Sequence, residues 1–241
     1  VTDAMPAAAL RVAAITPFTT IDFPGRLSAV VFVQGCPWRC VYCHNDWMQS
    51  RAHAPESSWD EVMKLLSRRK GLLDGVVFSG GEPTVDHALP EAMRTVKSMG
   101  FEVGLHTGGS YPDRLAACLP LIDWVGLDVK AVPTDPETYD RVTGVPGSCA
   151  HFLESYRMIR EAGVELECRT TAHPAWLPED RLLALADWLK DEEVDTFALQ
   201  IYRQPPGSFL ARFDRIGADY PGERALAALK GAVGHFTERR G

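Results

Sequence analysis

The sequence predicts an α/β fold of one kind, an open, partial (β/α)6 barrel, and three observations predict it. Short apolar, β-branched runs alternate with longer amphipathic segments, the pattern of parallel strands covered by helices. Six such strand–helix units of roughly 30 residues or more fill the chain. A closed eight-unit barrel typically takes about 250 residues, and eight strands are not counted here. Finally, polar and glycine-rich motifs recur just after the strands, where parallel α/β sheets place their sites.

In order, residues 29–34 (AVVFVQ) form the first strand, and a cysteine-bearing loop follows. Ser58-Trp59-Asp60-Glu61 is a capping box that opens a helix running to about Arg69. Residues 75–79 form the second strand, followed by Gly80-Gly81-Glu82-Pro83 and a helix near 87–99. Residues 102–107 and a helix after Pro112 make the third unit, and 124–129 with 148–162 the fourth. Residues 164–171 with 178–190 make the fifth. The sixth begins at 196–201 and is closed by a helix around 222–236. The Pro/Gly-rich stretches 132–147 and 204–207 read as long loops. With no repeat or linker, the expected organisation is a single domain over 1–241: a segment 1–27, the barrel over about 28–202, and a tail with its helix over 203–241.

Composition narrows the function classes. The chain is 46% hydrophobic and 24% charged, ordinary for a globular protein. A net charge of −7 argues against general nucleic-acid binding, and the one basic run in mid-chain, Arg68-Arg69-Lys70, reads as a solvated helix end. No apolar run approaches a membrane span and no signal segment is apparent, so the expectation is a cytoplasmic protein without membrane partners.

The most informative local feature is Cys36-Pro37-Trp38-Arg39-Cys40-Val41-Tyr42-Cys43. This C-x3-C-x2-C run supplies three thiolates where a four-iron cube normally takes four, leaving one iron open for a small molecule. A zinc site is the competing reading, with His44 as the fourth ligand, but His44 directly follows Cys43 and zinc ligands usually come as two separated pairs. Cys118, Cys149 and Cys168 are scattered singly and read as small buried hydrophobes.

The run FTTIDFPGRLSAVVFVQGCPWRCVYCHN (residues 18–45) resembles the radical S-adenosylmethionine enzymes. Within them it is most similar to the activating enzymes of glycyl-radical proteins, above all those of anaerobic ribonucleoside-triphosphate reductase. The cysteines mark the superfamily. Asp22-Phe23-Pro24-Gly25, Val31-Phe32-Val33-Gln34-Gly35 and Tyr42-Cys43-His44-Asn45 narrow it.

The resemblance implies one 4Fe-4S cluster on Cys36, Cys40 and Cys43, with S-adenosylmethionine at the open iron. Reductive cleavage then yields methionine and a 5′-deoxyadenosyl radical. Tyr42 matches a position that packs near the adenosyl group; its alternative role is aromatic packing of the loop. Gly80, Gly81 and Glu82 resemble the element that receives the methionyl amino group, where glycines permit close approach; alone they would be a tight turn.

Asp128 and Lys130, two apart on an extended segment, share one face and resemble an Asp-x-Lys element beside the cofactor. Lys130 would meet the methionyl carboxylate with Asp128 fixing it, against the plain alternative of an ion pair. Arg169, which shares a face with Thr171, is a candidate carboxylate partner. Two departures stand out. His106-Thr107-Gly108-Gly109 replaces an Asp-Thr-Asn-Gly element, which removes a carboxylate from any cation site there. Gln200-Ile201-Tyr202-Arg203 lacks the histidine often found near the adenosine, leaving Tyr202 or Arg203 as stacking substitutes.

The function implied is an activase, an enzyme that takes a hydrogen from a backbone glycine of a partner, most like the anaerobic ribonucleotide reductase. A flavodoxin or ferredoxin would supply electrons. The alternatives are radical chemistry on a small molecule such as a deazapurine precursor, and a non-catalytic metal-binding protein.

Overall fold

The computed structural model describes residues 5–203 and 213–240. Its strands form an eight-stranded sheet in the order β1 to β8. The predicted strands correspond to β2 (Ser28–Val33), β3 (Gly75–Gly80), β4 (Glu102–Thr107), β5 (Trp124–Asp128), β6 (Glu165–Ala172) and β7 (Thr196–Ile201). Two strands were not expected. β1 (Val12–Thr19) lies within the segment taken as a plain N-terminal extension and pairs antiparallel with β2. β8 (His235–Arg239) follows a helix, α7 (Glu223–Ala232), that stops short of the expected 236, and it pairs parallel with β7. The sheet is therefore six strand–helix units with an added strand at each end.

The chain divides into two compact units. The first comprises Val1–Arg39, Asn45–Leu127 and His151–Leu166. Its parallel strands are in register, Val33 beside Gly80, Phe78 beside Leu105 and Thr107 beside Leu127. α1 (Trp59–Arg69) starts at the expected capping box, with Ser58 and Glu61 bonding each other's backbone N–H. α2 (Leu89–Ser98) and α3 (Pro112–Cys118) follow β3 and β4, and α3 has proline at its start, where a missing N–H costs nothing. The Asp-Phe-Pro-Gly motif has a packing role: Phe23 is fully buried, stacks on Trp124 at 5.4 Å and joins Val30 and Val77 in the core. A Cβ on Gly75 would stand 2.8 Å from the Phe23 ring, so glycine there makes room for it.

The second unit comprises Cys40–His44, Asp128–Ala150 and Glu167–Gly241. Part of the stretch 132–147, expected as loop, is a helix, α4 (Pro136–Thr143). Asp135 caps its start and Gly144, at φ 71°, ends it; those residues looked like loop because they are the helix's two stop signals. α5 (Ser148–Ala162) and α6 (Glu179–Asp191) match the predicted segments. Asp140 holds the start of α5 by accepting from the Gly147 N–H, the Ser148 hydroxyl and the Cys149 N–H. The expected loop at 204–207 lies outside the described residues. No described helix is long and apolar enough to cross a membrane.

Candidate active site

In the first unit the predicted residues sit just beyond the ends of β2, β3 and β4. Gly35 follows β2 at φ 112°, and its N–H and that of Cys36 donate to the carbonyls of Met48 and Gln49. The Gly80-Gly81 pair is needed by the backbone itself. A Cβ on Gly80 (φ 122°) would meet the Val33 carbonyl at 2.4 Å, and one on Gly81 would meet the Gly35 carbonyl at 2.3 Å and the Cys36 Cβ at 3.1 Å. The glycines thus let the β3 end lie directly on the start of the cysteine loop.

Glu82 is only 2% exposed. Its carboxylate accepts from the Thr84 N–H and hydroxyl (3.1 and 2.6 Å), the Thr107 hydroxyl (2.8 and 2.9 Å) and the Gly108 N–H (2.9 Å). It is a knot joining the ends of β3 and β4. Gly108 has its own reason: a Cβ there would come within 2.4 Å of Trp38, the buried indole of the cysteine loop. His106 contacts the Asp22 carbonyl through Nε2 at 2.9 Å and Ser79 Oγ through Nδ1 at 3.2 Å. A carbonyl only accepts, so Nε2 carries a proton, and the ring packs edge-on to Trp124. His106 thus has both ring nitrogens in contact with the fold at the end of β4.

The second unit brings together Cys40, Tyr42, Cys43, Asp128, Lys130 and Arg169. The Cys43 N–H donates to the Cys40 carbonyl at 3.0 Å, and the Val41 N–H to the Val142 carbonyl at 2.9 Å. Lys130 Nζ lies 2.9 Å from Asp128 Oδ2, and Arg169 places Nε at 3.2 Å and Nη2 at 3.0 Å from Asp128 Oδ1. Asp128 therefore bridges two cations, and the shared-face expectation holds. Burial opposes the charge on Lys130, but Asp128, with Tyr42 and Cys40, outweighs it and holds the ammonium well above its ordinary value. Burial pushes the Cys40 thiol up, while Lys130 pulls it down.

Cys36, Cys40 and Cys43 are half-buried and form no disulfide. Three thiols within eight residues of sequence fit the donor set of a three-thiolate cluster. The other cysteines differ: burial, with Glu82 adding, pushes Cys118 to about 12, and burial, with Asp140 and Asp135 adding, pushes Cys149 to about 11. Such thiols stay protonated and inert.

Two residues at this site were missed. Trp176 stacks on Tyr42 (4.8 Å, 20°), and His173 stacks on Trp176 (4.7 Å, 19°). Tyr202 meets Trp176 and His173 edge-on and lies 5.1 Å from the His44 ring, so it belongs to the same aromatic group. The signal was His173-Pro174-Ala175-Trp176 directly after β6, but nothing local distinguishes it from an ordinary loop.

The Radical SAM superfamily profile matches residues 30–196. A protein of Methanocaldococcus jannaschii named as a glycyl-radical enzyme activating enzyme is 30% identical over 90% of this chain and 89% of its own length. The pyruvate formate-lyase-activating enzyme of Streptococcus mutans is 29% identical over 85% and 80%. Among solved structures, SuiB of Streptococcus suis bound to S-adenosylmethionine superposes with a TM-score of 0.66 at 13% identity over 86% of this chain. The chain spans about half the length of that structure, 48%. Members of this superfamily use a 4Fe-4S cluster on three cysteines together with S-adenosylmethionine, and Cys36, Cys40 and Cys43 fit that motif. This chain belongs to the radical SAM superfamily and, within it, to the glycyl-radical enzyme activating enzymes.

Proposed function

We propose that this chain activates an anaerobic ribonucleotide reductase by taking a hydrogen atom from a backbone glycine of that partner. The observation that carries the reading is the charge group beside the cysteine loop: Lys130 and Arg169 set two cations against the single carboxylate of Asp128. Two largely buried cations suit a ligand carboxylate, and they stand in the same unit as Cys40 and Cys43. The choice of reductase rests on the flanking motifs around residues 18–45, and the names of the relatives support a glycyl-radical enzyme as the class of partner.

Cys36, Cys40 and Cys43 would hold the cluster. When bound, the cluster and S-adenosylmethionine supply one-electron cleavage of the sulfonium C–S bond, giving methionine and the 5′-deoxyadenosyl radical. Gly80 and Gly81 would offer their backbone to the methionyl ammonium, with Glu82 bracing that turn from within. Lys130 would meet the methionyl carboxylate while Asp128 and Arg169 fix its ammonium, and Tyr42 would present its ring to the adenosyl group. A flavodoxin or ferredoxin would deliver the electron.

The test is anaerobic: reconstitute with iron and sulfide, reduce, add S-adenosylmethionine, and measure 5′-deoxyadenosine with and without a candidate reductase. A glycyl radical by electron paramagnetic resonance, dependent on that reductase, is expected. Deoxyadenosine without it would remove the reductase as partner and favour a small-molecule substrate. No deoxyadenosine from an intact, reducible cluster would overturn the chemistry. Cys36→Ala, Cys40→Ala or Cys43→Ala should each lose bound iron and visible absorbance, while Cys118→Ala and Cys149→Ala keep both.

A further inference from the structure

The turn between Cys40 and Cys43 has little backbone support of its own. The Cys43 N–H reaches the Cys40 carbonyl and the Val41 N–H reaches the Val142 carbonyl. Its one buried side chain is Tyr42, and Tyr42 is the first ring of a column. Trp176 lies on it nearly parallel, and His173 lies on Trp176 in the same way.

Both outer rings are pinned. The Trp176 indole N–H donates to the Thr171 carbonyl at 2.9 Å, tying the ring to the end of β6. The His173 Nδ1 accepts from the Ala175 N–H at 3.0 Å, and Nε2 lies 3.1 Å from the Asp214 carbonyl, which only accepts. Those two bonds set the tautomer and the plane of the imidazole. Tyr202 and Phe213 close the column from the side with their edges, at 5.0 to 5.9 Å from the His173 and Trp176 centroids and from each other. A ring held this way has lost the freedom to rotate or tilt, so the residue carrying it is held too.

We propose that Trp176, backed by His173, is a positioning residue: it locks the Tyr42 ring and so keeps the Cys40–Cys43 turn in the form that binds iron. This rests on the cluster reading above and adds to it two residues from the segment after β6. Stacked rings add to what their burial contributes, which biases a short turn with few backbone bonds.

The experiment follows iron release from the reconstituted full-length protein to a ferrous chelator, with circular dichroism and thermal unfolding of the iron-free protein alongside. Trp176→Leu should release iron about tenfold faster than wild type, and Trp176→Phe within about twofold of it, since a ring can still stack. Tyr42→Leu should match Trp176→Leu, and the double variant should be no faster than either single one, because both remove the same lock. A wild-type rate for Trp176→Leu, or fully additive effects in the double variant, would overturn the proposal. Should Trp176→Leu fail to fold, His173→Leu decides: about threefold faster release supports the column, and an unchanged rate overturns it. A wild-type protein that takes up no 4Fe-4S cluster would sink the cluster reading itself, a result distinct from all of these.

Discussion

Two carboxylates, one in each unit, show how the same functional group is put to opposite uses. Glu82 is sealed from water and surrounded by neutral donors, two hydroxyls and two backbone N–H groups. Asp128 keeps 32% of its side chain exposed and faces two cations. The first arrangement makes a joint, because every bonding position is already taken by the fold. The second gathers positive charge, because an ammonium and a guanidinium both face one anion. Glu82, one of the candidate ligands in the sequence, is held by donors of the fold itself.

The largest expected effect breaks the joint. Glu82→Ala would leave two threonine hydroxyls and two backbone N–H groups buried without an acceptor, and unfolding in denaturant should show a loss of about 3 kcal/mol or more. A variant as stable as wild type would mean that Glu82 is not a joint.

Next comes the gathered charge. Lys130→Met should weaken S-adenosylmethionine binding by about tenfold, read by equilibrium dialysis on the reconstituted protein, and lower the melting temperature less than Glu82→Ala does, because Arg169 still faces Asp128. If instead it melts as Glu82→Ala does, the two carboxylates are not different in kind.

The smallest effect concerns a third carboxylate, intermediate between them. Burial raises the pKa of Asp140, but the N–H groups of Cys149 and Gly147 and the Ser148 hydroxyl outweigh it and hold it below the ordinary value. A depressed folded-state pKa stabilises the fold fully above the unfolded value of about 3.9, and that contribution fades as pH falls through the folded value. Asp140→Asn should therefore flatten the acid limb of the stability profile below about pH 4 and leave its shape near neutral pH unaltered.

How far the sequence carried these conclusions depends on whether the cause was local. The cysteine spacing, the Ser58–Glu61 capping box and the shared face of Asp128 and Lys130 are all set within a few residues, and each was legible. The strands β1 and β8 were not. β1 contains Pro17 and the Ala13-Ala14 pair, which interrupt its β-branched residues, and β8 is His-Phe-Thr-Glu-Arg, polar and without a fully buried residue. Such strands exist because a neighbour offers an edge, and no pattern within them announces that. The same holds for Glu82, whose meaning depends on Thr107, 25 residues away, coming alongside through the β3–β4 register. Trp176 acquires its role only by meeting Tyr42, far from it in the chain.

The contact of Gly81 with Gly35 has a consequence for how this site can vary. With no room for even one carbon between the glycine turn and the carbonyl before Cys36, the two segments move as one piece. The place of the first thiol and the place of the turn proposed to hold the amino group are thus a single mechanical coordinate. Any change that resets one resets the other, so variation in what this protein acts upon has to come from elsewhere on the rim.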